Sequence, residues 1–111
     1  MKAFAVLGAG IGALLAGLAH AGESTMGQIS GVHFMGNGAV IFYHSGQRSG
    51  APACATIPNR FAIEGSTSTG KVQVAGLLSA VARGKNIYVL GLGVCNAWSD
   101  TETVNYFSVA D

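Results

Sequence analysis

An apolar leader decides how much of this chain is free to fold. Met1 to Gly22 reads MKAFAVLGAGIGALLAGLAHAG, with one positive charge, Lys2, ahead of a run of Ala, Gly, Leu, Val and Ile. The run closes on Ala19-His20-Ala21, the small-x-small pattern that a signal peptidase cleaves. A secretion signal over residues 1–21 is therefore expected, leaving a mature chain of residues 22–111 that begins at Gly22. No cysteine stands directly after the cleavage point, which argues against a lipoprotein. The run is also shorter than the roughly 20 residues of a membrane-spanning helix, so no span is expected after cleavage.

The same segment fits a second pattern. Gly8-Ala9-Gly10-Ile11-Gly12-Ala13 matches G-x-G-x-x-[GA], the turn that brings backbone close to a pyrophosphate at a helix N-terminus. Its context is missing. Ile11 to Ala19 is apolar all round, and no acidic residue ends a second strand about 20 residues further on. A signal peptide accounts for the segment better.

Residues 22–111 suffice for one domain. They hold two cysteines, Cys54 and Cys95, and in an exported domain such a pair is most simply a disulfide. The alternative, a redox or metal pair, lacks both a C-x-x-C spacing and paired histidines. After the leader, the cations are Arg48, Arg60, Lys71, Arg83 and Lys85, and the acids are Glu23, Glu64, Asp100, Glu102 and Asp111. This balance gives no basic stripe, so no nucleic-acid partner is expected.

Gln28 to Met35 and Ala39 to His44 are rich in strand formers and flank Gly36-Asn37-Gly38, which predicts a hairpin. Ser45 to Pro52 reads as a flexible loop, and Gly22 to Met26 as loose and polar. Cys54 to Glu64 holds a third strand, broken at Pro58. Val74, Leu77, Leu78 and Val81 recur at i, i+3, i+4, i+7, predicting a helix capped within Ser66–Thr69 and closed by Arg83 and Gly84. Asn86 to Leu90 and Thr103 to Val109 are strands four and five, separated by the turn-rich Gly91 to Asp100. The order β-β-β-α-β-β is that of a five-stranded OB-like barrel, with a flat sheet under one helix as the alternative.

Three groups of residues invite chemistry. Gly65-Ser66-Thr67-Ser68-Thr69-Gly70-Lys71 matches G-x-x-x-x-G-K between a strand and a helix, but Val72 stands where a metal-binding hydroxyl belongs. It reads better as a helix cap. His33 and His44, with Asp100 or Glu102, contain the elements of a small hydrolase, although no spacing ties them together. Trp98 to Thr103 (WSDTET) joins an aromatic ring to carboxylates and hydroxyls. That is the kit of a sugar site, with Tyr43, Tyr88 and Tyr106 as further aromatic surface. The plainer role for Trp98 is to cover the disulfide, with Asp100 and Thr101 shaping a turn.

Cys54, Arg60-Phe61, Ser66-Thr67, Leu77-Leu78, Gly84-Lys85, Gly93-x-Cys95-x-x-Trp98-x-Asp100-x-Glu102-Thr103 and Tyr106 resemble a pattern in small exported bacterial proteins of unknown function. The resemblance covers roughly Cys54 to Phe107 and implies no activity. The layout is also similar to the B subunit of subtilase cytotoxin, through Ala53-Cys54-Ala55, the helix with its Leu-Leu pair and the following strand. That likeness implies an OB-like fold, five-membered rings and binding of sialoglycans. None of that family's sugar-binding residues matches here position by position.

The expectation is a secreted or periplasmic binding or interaction module without enzymatic activity, cofactor or metal. Its partner is a glycan or a protein, and self-association is an option. Tyr43, Trp98, Asp100 and Glu102 are the candidate ligand contacts. A small hydrolase and an assembly protein that pairs through strand edges are the rivals.

Overall fold

The computed structural model describes residues 21–111, so the leader up to residue 20, with its glycine motif, lies outside the described residues. The elements run β1 (Glu23–Gly27), β2 (Ile29–Phe34), β3 (Ala39–His44), β4 (Arg48–Ser49), β5 (Arg60–Glu64), α1 (Ser68–Ala82), β6 (Ile87–Gly91) and β7 (Glu102–Val109). The strands form one seven-stranded sheet in the order β2-β3-β5-β7-β6-β1-β4. Pairing is antiparallel except where β5 meets the start of β7, Phe61 opposite Glu102 and Ala62 opposite Thr103.

Residues 21–111 are thus mainly β with one helix, as their residue pattern predicts. The sheet is mixed and open, however, and is not the expected five-stranded closed barrel. Two strands account for the difference. Strand β1 comes from the polar Glu-Ser-Thr-Met-Gly, which turns Ser24 and Gly27 inward. It shows no apolar alternation from which a strand could be predicted. Strand β4 is only Arg48–Ser49, paired to β1 inside the expected loop. Gln28 alone separates β1 from β2, yet β1 pairs with β6 and β2 with β3. The chain bends there and serves both ends of the sheet.

The hairpin between β2 and β3 forms as predicted, by a different turn. Gly38 donates from its N–H to the Met35 carbonyl at 3.0 Å. Gly38 has φ +92, while Asn37 keeps a negative φ. Asn37 contributes through its side chain, whose Oδ1 accepts from the Ala39 N–H at 3.0 Å. This matches a three-residue loop closed by a left-handed glycine.

One apolar core lies between the sheet and α1. Phe42, Phe61, Ile63, Leu77, Ile87 and Val89 are each fully buried in it, and the Phe42 and Phe61 rings stack at 5.9 Å. Each such side chain contributes on the order of 1.5–3 kcal/mol on burial. Thr67 caps α1 by accepting from the Gly70 N–H at 2.9 Å, so the hydroxyl-rich stretch is indeed a helix cap. The buried stripe of α1 is Gly70, Leu77 and Ala80, with Val74 packed beside it. Leu78 and Val81, expected inside, are 40% and 42% exposed. The small Ala80 lets the helix lie closer to the sheet than a Leu78–Val81 seam permits.

Cys54 and Cys95 form the predicted disulfide, joining the loop before β5 to the loop after β6 across 41 residues of sequence. Among the described residues no helix is long and apolar enough to cross a membrane. Replacing both cysteines by serine removes a closed loop of this length from the unfolded state. Urea denaturation of the oxidised parent and the double variant is expected to differ by about 4 kcal/mol.

Candidate functional site

Strand β5 is buried at Phe61, Ala62 and Ile63 alike, so both of its faces are covered. Phe61 and Ile63 face the main core. Ala62 faces a second cluster, with Ile41, Ala97, Met35 and Trp98. This side of the sheet carries the candidate site. Alternation along β3 sends Ile41 and Tyr43 to it and Val40, Phe42 and His44 to the core.

Here a cleft of about 260 Å³ is lined by His33, Met35, Ile41, Tyr43, Arg60 and Trp98. Tyr43 and Arg60 are register partners on β3 and β5, and the Arg60 guanidinium carbon lies 5.9 Å from the Tyr43 ring centre. The His33 ring meets Tyr43 edge-on at 6.3 Å. Arg60 Nη2 donates to Asp100 Oδ1 at 2.7 Å and to Thr101 Oγ1 at 2.8 Å, and Nε donates to the same hydroxyl at 3.0 Å. These bonds fix the guanidinium plane and leave Nη1 without a protein partner among the described residues. The Asp100 side chain is 41% exposed, so this ion pair sits at the rim in water and contributes little to stability.

The loop that presents Trp98 is held from three sides. Thr103 Oγ1 accepts from the Asn96 and Ala97 N–H groups, each at 3.2 Å, and donates to Asn96 Oδ1 at 2.6 Å. Cys95 ties the loop to Cys54. The Thr101 N–H closes a turn onto the Trp98 carbonyl at 3.1 Å, and Arg60 grips Thr101. Trp98 itself is half-buried, with part of its ring on Ile41, Ala62 and Ala97 and part lining the cleft. Its packing role is therefore met by this small cluster. Compared with family models, curated protein sequences and solved structures, the chain finds no match.

Of the four candidate contacts, Tyr43 and Trp98 line the cleft, and Asp100 stands beside it, bonded to the lining residue Arg60. Glu102 lies apart from the cleft. It is fully buried: Oε1 accepts from Arg48 Nη2 at 2.8 Å, and Oε2 accepts from the N–H groups of Gly22 and Gly93 at 2.9 and 2.8 Å. The strand boundary explains the split: Glu102 opens β7 opposite Phe61 and turns toward the interior, whereas Asp100 lies in the turn before the strand. Met35 and Ile41 line the cleft without having been signalled by any motif, and Arg60 belongs to the resemblance pattern with no role attached to it. Only the Tyr43–Arg60 register brings the arginine in.

His33 reaches the cleft, whereas His44 faces the core and is 3% exposed. Its Nε2 lies 2.8 Å from the Ile87 carbonyl, which can only accept, so Nε2 carries the proton. Nδ1 then accepts from the Ser24 hydroxyl at 2.7 Å. Ser24 is fully buried, so this serine–histidine pair is closed to a substrate. Among the described residues no hydrogen bond joins either histidine to Asp100 or Glu102, and no three His, Cys, Asp or Glu gather as metal ligands.

Burial lowers the pKa of His44 below its ordinary 6.5, outweighing the stabilising bond to Ile87, and the Arg48 charge adds to the lowering. Below about pH 6.5 the unfolded chain takes up a proton that the folded chain refuses. The stability due to neutral His44 is therefore present in full above that pH and is lost as the pH falls toward the folded pKa. Melting temperatures measured from about pH 8 to 5 should decline below about pH 6.5, and His44→Gln should flatten that slope.

Proposed function

We propose that this protein is an exported, non-enzymatic binding module that takes a glycan in the Trp98 cleft. One observation carries the reading: two aromatic rings, Tyr43 and Trp98, share a cleft with Arg60, whose guanidinium is oriented by Thr101 and by Asp100 at its side. Aromatic faces suit the C–H faces of a sugar ring, Asp100 Oδ2 suits its hydroxyls as an acceptor, and Arg60 Nη1 supplies a donor. At about 260 Å³ the cleft is smaller than a typical small-molecule pocket of roughly 300–1,000 Å³. It suits a terminal sugar unit better than an extended chain.

Two further points support the reading. Export is favoured by the leader and by the Cys54–Cys95 disulfide, which an oxidising compartment maintains. An OB-like architecture is favoured by the bend at Gln28. Counted as one bent strand, β1 and β2 stand at both ends of the run β2-β3-β5-β7-β6-β1, with a single helix between β5 and β6. Oligosaccharide binding is one use of such folds, and the likeness to the toxin B subunit points the same way.

A glycan array is the first test, followed by calorimetry on any ligand found. Tyr43→Ala and Trp98→Ala should each weaken binding about tenfold, the equivalent of about 1.4 kcal/mol, with the fold checked by circular dichroism. An array without a single bound glycan, or binding unchanged in both folded variants, rejects the proposal.

A further inference from the structure

Gly22 follows the predicted cleavage point directly, and it is not a loose end. It is buried, while Ala21 before it is exposed. Its N–H donates to Glu102 Oε2 at 2.9 Å, and its carbonyl accepts from the Gly91 N–H at 2.6 Å. The space around it admits no side chain. A Cβ there would lie 2.6 Å from Glu102 Oε1 and 2.8 Å from Arg48 Nη1. Gly91 is equally confined, because a Cβ on it would overlap the Glu102 carboxylate.

The carboxylate that Gly22 meets is fully buried and has one cationic partner, Arg48. That arginine is itself stretched across several tasks. Its Nε donates to the Pro58 carbonyl at 2.5 Å, its guanidinium lies 4.3 Å above the Phe61 ring, and Nη1 is buried with no partner. The Oε2 side of Glu102 has only neutral backbone donors, Gly22 and Gly93.

We propose that hydrolysis of the Ala21–Gly22 peptide bond places an α-ammonium on Gly22 that completes a buried charge cluster with Glu102 and Arg48. Water adds across the amide: its hydroxyl goes to the Ala21 carbonyl carbon, and the freed Gly22 nitrogen takes the hydrogen and, at neutral pH, one more proton. A signal peptidase supplies the cleavage. The nitrogen is already in place, so processing replaces a neutral donor by a charged one on the same carboxylate oxygen. The bond to the carboxylate is already charge-assisted on its acceptor side, and the ammonium adds the attraction of a full opposite charge at the same distance. The carboxylate is then held by the guanidinium at Oε1 and by the ammonium at Oε2. Because Ala21 leaves toward solvent, the uncleaved chain can fold first and gain stability on cleavage.

This inference rests on the export reading and is independent of the glycan reading. The test begins with the full-length chain, expressed with its leader and recovered after export, whose mass gives its first residue. It is then compared by thermal melting with a full-length variant carrying one alanine inserted between Ala21 and Gly22, its extra residue confirmed by mass. The expected first residue is Gly22. The extended product, whose Gly22 nitrogen is again an amide, should melt about 4 °C or more below it. Glu102→Gln should erase that difference; if this variant does not fold, the comparison of the two ends decides alone. An uncleaved Met1 start overturns the proposal together with the export reading, and cleavage at another position overturns the proposal alone. A Gly22 start with equal melting temperatures overturns the proposal and leaves the export reading standing.

Discussion

A single buried carboxylate holds this structure in register. Glu102 opens β7 where that strand meets its parallel partner β5, Phe61 lying opposite it, just before the long antiparallel run with β6 begins at Val104. One oxygen takes Arg48 from β4; the other takes the backbone of Gly22, ahead of β1, and of Gly93, after β6. Three segments, at Gly22, Arg48 and Gly93, are thus referred to one side chain. Burying a charge this way is tolerable only when each oxygen is matched, and removing one partner of such a pair typically costs about 3–5 kcal/mol. The glycines around it follow from the same constraint, since Gly22 and Gly91 approach the carboxylate too closely for any Cβ.

From Glu102 the order propagates outward. The next residue, Thr103, pins the preceding loop through three hydrogen bonds, and the disulfide at Cys95 secures its other end. The residue before, Thr101, is buried and receives Arg60. Trp98 is therefore presented by a loop with little freedom, over a cleft whose floor, Ile41, belongs to the central strands. A site built in this way is preorganised, and ligand binding need not order it first.

Much of the architecture was legible because apolar patterning and turn chemistry are local. The hairpin at Gly36–Gly38, the helix, and the strands after it all follow from such signals. Strand β1 was not legible, because what it buries are Ser24 and Gly27. The first is satisfied by His44, a residue far along the chain, and the second needs no apolar side chain. Along α1 the apolar stripe of the sequence is wider than the contact, so Leu78 and Val81 stay exposed while Leu77 and Ala80 are buried. The site divides in the same manner. Trp98, Asp100 and Tyr43 could be singled out as residue types, but WSDTET reads as one polar stretch. Only the strand boundary reveals that Asp100 stays at the rim while Glu102 turns inside. Arg60 was hidden because its partnership with Tyr43 is a matter of sheet register, which no short motif encodes.

Trp98 is the single tryptophan of the chain, so its fluorescence reports on the cleft alone. The most direct measurement is a titration of the oxidised protein with a panel of mono- and oligosaccharides, following tryptophan emission. The account predicts a saturable change in intensity or wavelength with at least one glycan class. Unchanged emission across the panel, at concentrations where a bound glycan is detected by an independent method, would contradict the placement of the ligand against Trp98.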